Sequence, residues 1–298
     1  MTLNTFMIDS LNRWDKETAI SREDTLLYHY TSADGLKGII EKGGLKFWFS
    51  NANYLNDTSE GKDVLDLYRQ ACDQLRSTKE ISHDFYQFAY PIEPKQTMLH
   101  KVGDRAYEIS DCDMYMCCFS RQADSLPMWN YYVKDSKYQG YNIGIFIFPF
   151  NRDTKIELKD VIYSDELKIK IIKEFLLGIS QFYGKADQTD MKNCVEIMQE
   201  RWQYVFKSHY FEHEKEVRAI LKVPKTGSDQ YPVKFHVNSG ILIPHVEYCF
   251  SGIRAQQITI GPLIDGETAK KSIAEYLVSC GYPEMHNRII LSKAPVRY

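Results

Sequence analysis

Residues 27–61 read LYHYTSADGLKGIIEKGGLKFWFSNANYLNDTSEG, and this stretch predicts a strand, a short helix and a second strand in succession. The apolar and aromatic run 27–30 is typical of a strand that stops at turn-forming residues. Ser32 can cap a short helix, because apolar side chains then recur at helical spacing. The pair Gly43-Gly44 is expected to end that helix, since glycine adopts the left-handed conformation without steric cost. Residues 45–49 predict the second strand.

Polar side chains stand near the ends of these two strands. His29 lies on the first strand, Ser50 directly follows the second, and Asn56 and Asp57 open a segment rich in helix-capping residues. Polar groups at strand ends can line a cleft, so these four residues are candidates for a functional site.

The remaining chain continues to mix strands and helices. Apolar runs predict strands at 114–119, 141–148, 155–163, 214–223, 233–237, 241–243, 257–260 and 289–291. Helical spacing predicts helices at 59–77, 127–133, 165–183, 189–209 and 267–280. Because no repeat or linker divides the chain, residues 25–298 are predicted to form a single α+β domain, preceded by a helical lead-in at 1–24.

Composition limits the possible partners and the compartment. The chain has 298 residues, 44% of them hydrophobic, and a net charge of -3, so no global basic field favours duplex DNA or an acidic membrane. Its seven cysteines are scattered without a CxxC pair, a pattern typical of reduced thiols. No apolar run approaches the roughly 18 residues of a membrane span, and no signal peptide is evident. These features predict a cytoplasmic protein with no membrane partner.

Four segments in this order resemble a known bacterial family. They are LYHYTS…GGLKFWFSNANYLNDTSEG, CFS…MWNYY…GYNIGIFI, YFEHEKEVRAIL and ITIGP…ILSKAPVRY. The set is similar to the family catalogued as domain of unknown function two-nine-seven-one, over about residues 25–298. That resemblance carries little functional information by itself.

A more distant resemblance is to the ADP-ribosyltransferase fold. Enzymes with that fold carry a His or Arg on a first strand, a short helix, a glycine before a second strand, and much later a Glu that opens a strand. The matching positions here are His29, Ser50, Glu214 and Glu216. The chain departs from the pattern at Ser50-Asn51-Ala52, where those enzymes usually carry Ser-Thr-Ser. The resemblance implies a split, antiparallel or mixed sheet core with helical insertions, and NAD as a substrate.

The resemblance also implies a role for each of the matching residues. Cleavage of the bond between nicotinamide and ribose passes through a cation-like sugar, which a carboxylate stabilises. Glu216 is the candidate for this role, and Glu214, placed two residues earlier on the same strand face, would position or deprotonate the acceptor. His29 would bind the adenosine ribose, and Ser50 would hold the nicotinamide ribose. The protein would then be a transferase or glycohydrolase, as a bacterial toxin or phage-defence effector.

Further residues are candidates for holding the cofactor. Tyr30, Tyr54 and Trp129 carry rings that can stack on a base or on nicotinamide. Asn53 follows the second strand and offers a polar side chain near Ser50. The acceptor is left open among protein, nucleic acid and water.

Two alternatives come from other functional classes. Residues 209–213 spell H-x-x-E-H, which on a helix would place two histidines on one face to hold zinc, with Glu212 activating water. A helix that ends near His209 argues against this zinc hydrolase. The other alternative is a non-catalytic domain that senses a nucleotide or a partner. In that case the same cleft would have its carboxylates paired with cations or turned to solvent.

Overall fold

The structure is a computed structural model that describes residues 1–20, 26–55, 60–94, 100–102, 105–107, 112–133, 138–146, 155–225, 230–238 and 240–296. Within these ranges the helices are α1 Leu3–Thr18, α2 Ala33–Ile39, α3 Glu60–Ser77, α4 His83–Ala89, α5 Leu126–Tyr131, α6 Asp165–Ser180, α7 Gln188–Gln203 and α8 Gly266–Ser279. Short 3-10 helices occupy Ala52–Tyr54, His209–Glu214 and Pro283–Arg288.

The strands alternate with these helices along the chain. They are β1 Leu26–Thr31, β2 Ile40–Glu41, β3 Gly44–Asn51, β4 His100–Val102, β5 Arg105–Tyr107, β6 Cys112–Ser120, β7 Tyr141–Phe146, β8 Ile156–Asp160, β9 Glu216–Pro224, β10 Val233–Asn238, β11 Ile241–Ser251, β12 Gln257–Ile260 and β13 Ile289–Leu291. The fold is therefore of mixed α and β type, consistent with the α+β class expected from the sequence.

One large sheet organises the described part of the chain. Its strands follow the order β10-β11-β3-β6-β1-β7-β12-β13, with β2 beside β3 and the pair β8-β9 joined to β6. All described pairings in it are antiparallel except that of β12 with β13. Strands β4 and β5 form a separate two-stranded sheet.

The opening unit confirms the predicted order of strand, helix and strand, with one correction. The Ser32 side chain accepts a hydrogen bond from the Gly35 backbone N–H and so caps α2. Gly43 does not end that helix. The helix stops at Ile39, the chain enters the short strand β2, and Gly43 adopts a φ of 97° in the turn between β2 and β3. Glycine is favoured there because this backbone conformation crowds a Cβ atom.

The two largest hydrophobic cores of the described residues lie in different parts of the fold. The first is built from the sheet together with α2 and α8, and includes the buried side chains of Phe47 and Phe49. The second is built from helices α1, α3, α4, α6 and α7, and includes Trp14 and Trp202. The predicted lead-in contains the helix α1. Met7 and Trp14 on one side of α1 are buried in this second core, which holds the helix against the other helices.

Two element boundaries differ from the predictions in a way that affects the candidate site. The predicted helix 189–209 ends at Gln203, where a turn and a short bridge replace it. The predicted strand 214–223 begins only at Glu216, because Glu214 closes a 3-10 helix and Lys215 takes the left-handed conformation with a φ of 44°. Glu214 and Glu216 are therefore not neighbours on one strand face, contrary to the prediction.

Among the described helices, none combines the length and apolarity needed to cross a membrane.

Candidate functional site

The site is located where two strands separate along β6. One edge of β6 pairs with β9 over its whole length, from Cys112 to Ser120. On the other edge, β3 pairs with β6 at Tyr115 and Met116, whereas β1 pairs with it at Ser120. Strands β1 and β3 therefore diverge, and a gap opens beside the intervening residues of β6.

His29 of β1 lies in this gap. Its Nδ1 atom is 2.9 Å from the backbone oxygen of Cys118, so Nδ1 must carry the hydrogen, because a carbonyl oxygen can only accept. The imidazole packs against the rings of Phe47 and Phe119. Burial lowers the pKa of His29 below its ordinary value, against the opposing effect of the bond to Cys118. In the neutral ring that results, Nε2 carries a lone pair and can accept a hydrogen bond from a hydroxyl group.

An inner cavity of about 120 Å³ lies beside His29 and brings together the two predicted carboxylates. His29, Glu214 and Glu216 all line it, although His29 is far from the carboxylates along the chain. The other polar groups of its lining include Tyr132, Lys207 and Arg218. The cavity is therefore lined by an imidazole, two carboxylates, two cations and three tyrosines.

These charged groups are paired with each other. Lys207 Nζ lies 2.6 Å from Glu214 Oε2 and 2.9 Å from Glu216 Oε2. Arg218 Nε donates to Glu216 Oε1 over 3.0 Å, and the hydroxyl of Tyr132 donates to Glu214 Oε1. All four charged side chains are buried. Two negative and two positive charges balance in this cluster, which limits the cost of removing them from water.

The pairing sets the ionisation of the cluster. Burial alone would raise the pKa of Glu216, but the charges of Arg218 and Lys207 outweigh burial and hold the pKa below its usual range. Burial alone would lower the pKa of Lys207, but Glu216 and Glu214 outweigh it and raise the pKa. Burial and the neighbouring Glu214 both raise the pKa of Tyr132. At neutral pH, Glu216 is an anion, Lys207 a cation and Tyr132 a neutral hydrogen-bond donor.

An outer cavity of about 470 Å³ adjoins the inner one. Five residues line both cavities: His29, Tyr30, Leu55, Cys118 and Tyr132. The remaining outer lining comes mainly from α2 and from strands β3, β10 and β11, with further residues from β1, β6 and the 3-10 helix Ala52–Tyr54. The β3 side chains in this lining are Lys46, Trp48 and Ser50. They share one face of the strand because side chains alternate, and the intervening Phe47 and Phe49 enter the hydrophobic core.

The structure brings most of the predicted cofactor residues to the two cavities. Tyr30 lines both, while Ser50 and Tyr54 line the outer one. Tyr54 is about half exposed, and its ring can be reached by a ligand. The Tyr30 hydroxyl is already engaged, since it donates to Gln122 O over 2.9 Å and accepts from the Ser125 N–H.

Two predicted cofactor residues lie elsewhere. Trp129 is fully buried, packs edge-on against Tyr30, and donates its indole hydrogen to Asp124 over 2.7 Å. It is a core residue that supports Tyr30, and its prediction as a ring-stacking residue was wrong. Asn53 is exposed, lies outside both linings, and uses its backbone N–H to complete a turn with Asn51.

The candidates Asn56 and Asp57 lie outside the described residues. The H-x-x-E-H run is described, and it forms the 3-10 helix His209–Glu214. In a 3-10 helix, residues three apart eclipse each other, so His209 and His213 do not share a face as zinc ligands would. Glu212 is exposed and bonds to Lys215 over 2.8 Å. In the described parts of the chain, no three His, Cys, Asp or Glu side chains cluster as metal ligands.

The lining residues that sequence reasoning missed include Trp48, Lys207 and His236, and one of these three carried a usable signal. Trp48 stands two residues before Ser50 in a predicted strand, so alternation places both side chains on the same face. Lys207 follows the end of α7 and His236 belongs to a distant strand, and no local pattern connects either residue to the cavities.

Comparison with models of protein families, with curated proteins and with solved structures gives no match for this chain.

Proposed function

We propose that the joined cavities bind NAD and that Glu216 promotes cleavage of the bond between nicotinamide and ribose. The observation that carries this proposal is that His29, Glu214 and Glu216 line one cavity. The separation of β1 and β3 along β6 supports it as well, because a split sheet is what the resemblance to the ADP-ribosyltransferase fold implies. The outer cavity also has the size of small-molecule sites, about 300–1,000 Å³.

The chemistry assigns a separate task to each residue. The glycosidic bond breaks with its electron pair moving to the nicotinamide nitrogen, and nicotinamide leaves as a neutral ring. Glu216 is ionised and stabilises the positive charge that develops on the ribose. An acceptor oxygen or nitrogen bonds to the same ribose carbon, and its proton passes to Glu214 or to water. The Nε2 atom of His29 accepts a hydrogen bond from a hydroxyl of the adenosine ribose.

The adenosine end of NAD fits the outer cavity. Trp48 is 46% exposed and presents an indole ring in the cavity wall. Its other contacts are the imidazoles of His236 and His245, with ring centroids 5.3 Å and 4.3 Å away. A ring held in this way offers a stacking surface for a purine base.

A second candidate function is recognition of the nucleotide without turnover. It is favoured by the ion pairs of Glu214 and Glu216, because a carboxylate engaged by Lys207 and Arg218 has less charge available for a sugar cation. In this candidate the same cavities bind NAD or a related nucleotide, and the bond to nicotinamide stays intact.

Nicotinamide release from NAD distinguishes the two candidates. The purified protein is incubated with NAD, once in buffer and once with a cell lysate that supplies protein and nucleic-acid acceptors, and released nicotinamide is quantified by chromatography. The informative variant is Glu216→Asp, which keeps the negative charge between Lys207 and Arg218 but withdraws the carboxylate by one methylene. We expect release to slow about 100-fold, since a displacement of about 1 Å at a reacting centre has an effect of that size.

The matched control is Glu157→Asp. Glu157 on β8 is also a carboxylate paired with an arginine and a lysine, Arg201 and Lys222, and it lies outside both cavities. The Glu157→Asp variant should release nicotinamide at the wild-type rate. Release that is absent from the wild type in both incubations contradicts the catalytic proposal. Binding of NAD by calorimetry under those same conditions then establishes the recognition function.

A further inference from the structure

Lys207 is anchored in the fold independently of the carboxylates that it contacts. Its backbone N–H donates to Ile162 O over 3.1 Å, and its backbone oxygen accepts from Lys168 Nζ over 2.7 Å. Its side chain is only 7% exposed, and its ammonium lies 4.8 Å from the centre of the Phe211 ring. The ammonium group therefore occupies a defined position before any ligand binds.

The two carboxylates reach Lys207 from different kinds of backbone. Glu216 projects from β9, whereas Glu214 ends a 3-10 helix, and Lys215 between them has the left-handed conformation. No strand alternation holds these carboxylates side by side. Each contributes its Oε2 atom to the same ammonium group, which offsets the repulsion of two like charges.

The remaining contacts of the two carboxylates differ. The second oxygen of Glu216 is bound by the Arg218 guanidinium, a charged donor. The second oxygen of Glu214 is bound by the Tyr132 hydroxyl, a neutral donor. Lys207 supplies the cation that Glu214 and Glu216 share, and Glu216 has an additional cation of its own.

We propose that Lys207 is a positioning residue that holds Glu214 and Glu216 together in the arrangement that the sugar cation and the acceptor require. This inference rests on the proposed function, and it assigns the positioning of both carboxylates in that site to the ammonium group of Lys207. Besides Lys207, the polar groups around the carboxylates include Arg218, Tyr132, Tyr163, Cys118, Ser120 and His29. Among them, Arg218 already pairs with Glu216, so removal of Lys207 leaves Glu214 without a charged partner in this set.

The test compares Lys207→Met with Lys207→Arg. The first removes the charge, and the second restores a cation at the same position. The matched control is Lys222→Met, which removes a lysine that bonds a carboxylate, Glu157, over 2.8 Å outside the cavities. Because loss of one buried charge can prevent folding, the double variant Lys207→Met with Glu214→Gln removes one cation and one anion and keeps the cluster neutral.

Two readouts are measured for each variant. The first is nicotinamide release between pH 3 and 9, from which kcat, KM and the acid limb of the profile, expected below about pH 4 in the wild type, are obtained. In Lys207→Met we expect kcat to fall at least tenfold, KM to change less than threefold, and the acid limb to move up by ~1–3 pH units, the size of shift that an opposite charge produces. Lys207→Arg should recover most of kcat, and Lys222→Met should match the wild type.

The second readout is independent of activity. The carboxyl group of Glu216 is titrated by ¹³C NMR. Lys207→Met should raise its pKa by about 1 unit or more relative to the wild type, and the double variant should do so relative to Glu214→Gln alone, which removes the same anion. An unchanged titration, or an unchanged acid limb in an active and folded Lys207→Met protein, overturns the inference. The two proposals can also fail separately. If Lys207→Met raises the pKa of Glu216 but the wild type releases no nicotinamide, the proposed catalysis is contradicted and the positioning of the carboxylates by Lys207 is supported.

Discussion

The Nδ1 atom of His29 lies 2.9 Å from the backbone oxygen of Cys118, within the gap where β1 and β3 diverge along β6. A side chain thus occupies the edge of β6 between its two neighbouring strands. The imidazole gives the Cys118 backbone oxygen a hydrogen-bond partner in the gap, and the same ring lines both cavities. His29 therefore has a structural contact with β6 and also lines both cavities.

Substitution of His29 by alanine should affect both the contact with β6 and the lining of the cavities. The variant leaves Cys118 O without its partner, so we expect a loss of about 1–3 kcal/mol in the free energy of unfolding, measured with urea. ADP binding, measured by calorimetry, should weaken about tenfold because the acceptor for the ribose hydroxyl is missing. His83→Ala is the control, since His83 is exposed on α4. Unchanged ADP affinity in a folded His29→Ala protein would show that His29 has only the structural role.

Trp48 should report adenine binding through its own fluorescence. The other three tryptophans are buried, so ADP or acrylamide should quench mainly the emission of Trp48. We expect ADP to quench the tryptophan fluorescence of the wild type but not that of Trp48→Phe. The smaller phenylalanine ring still stacks on adenine, so the affinity of Trp48→Phe for ADP should stay within about threefold of the wild-type value. Trp48→Ala should weaken ADP binding by about 1–3 kcal/mol, the value measured for stacking of bases on aromatic side chains.

The control for Trp48 is Phe235→Ala. Phe235 is 61% exposed on β10, next to His236 but outside the cavity lining. Equal losses of ADP affinity in Phe235→Ala and Trp48→Ala would contradict a specific stacking site. Quenching of the wild type by nicotinamide mononucleotide, which lacks adenine, to the same extent as by ADP would also do so.

The Glu216 ion pairs predict how stability depends on pH. Arg218 and Lys207 overcome the effect of burial and hold the pKa of Glu216 below its usual range. A carboxylate with a lower pKa in the folded state stabilises the protein above its unfolded pKa, about 4.3, and this contribution is lost as the pH falls through the folded value. The free energy of unfolding should therefore decrease below about pH 4.

Urea unfolding of wild type and Glu216→Gln from pH 3 to 8 checks this dependence. At neutral pH, Glu216→Gln should be less stable by about 3 kcal/mol, because two buried cations lose a shared partner. The difference should shrink as the pH falls below about 4, where Glu216 takes up a proton in the unfolded chain but not in the folded protein. A difference that stays constant down to pH 3 would mean that the ion pairs of Glu216 do not contribute to acid stability.

Cys118 should be a slow thiol even though it lines both cavities. Burial, with a smaller contribution from Glu216, raises the pKa of Cys118 well above its ordinary value, so little thiolate is present at neutral pH. Cys249 is exposed and should react first. Limited treatment with iodoacetamide followed by peptide mass spectrometry should find Cys249 modified and Cys118 at least about tenfold slower. Comparable rates at the two thiols would contradict the raised pKa of Cys118.

Local sequence patterns predicted the unit that shapes the gap between the strands. The Ser32 cap, the apolar spacing of α2 and the alternation of β3 are each decided by neighbouring residues. The same holds for the terminal unit, in which β12, α8 and β13 occur close to the predicted limits. The predicted end of the helix at Gly43 was wrong because β2 pairs with β3, and that contact depends on residues beyond the helix.

The sequence by itself determined the mixed α and β composition, the order of strand, helix and strand around His29, and the alternation that places Trp48 beside Ser50. These features follow from interactions between residues a few positions apart. Only the tertiary structure decided that Trp129 is a core residue and that Lys207 joins Glu214 to Glu216. Those contacts depend on which distant segments β6 and β9 bring together, and burial then fixes which charges must pair.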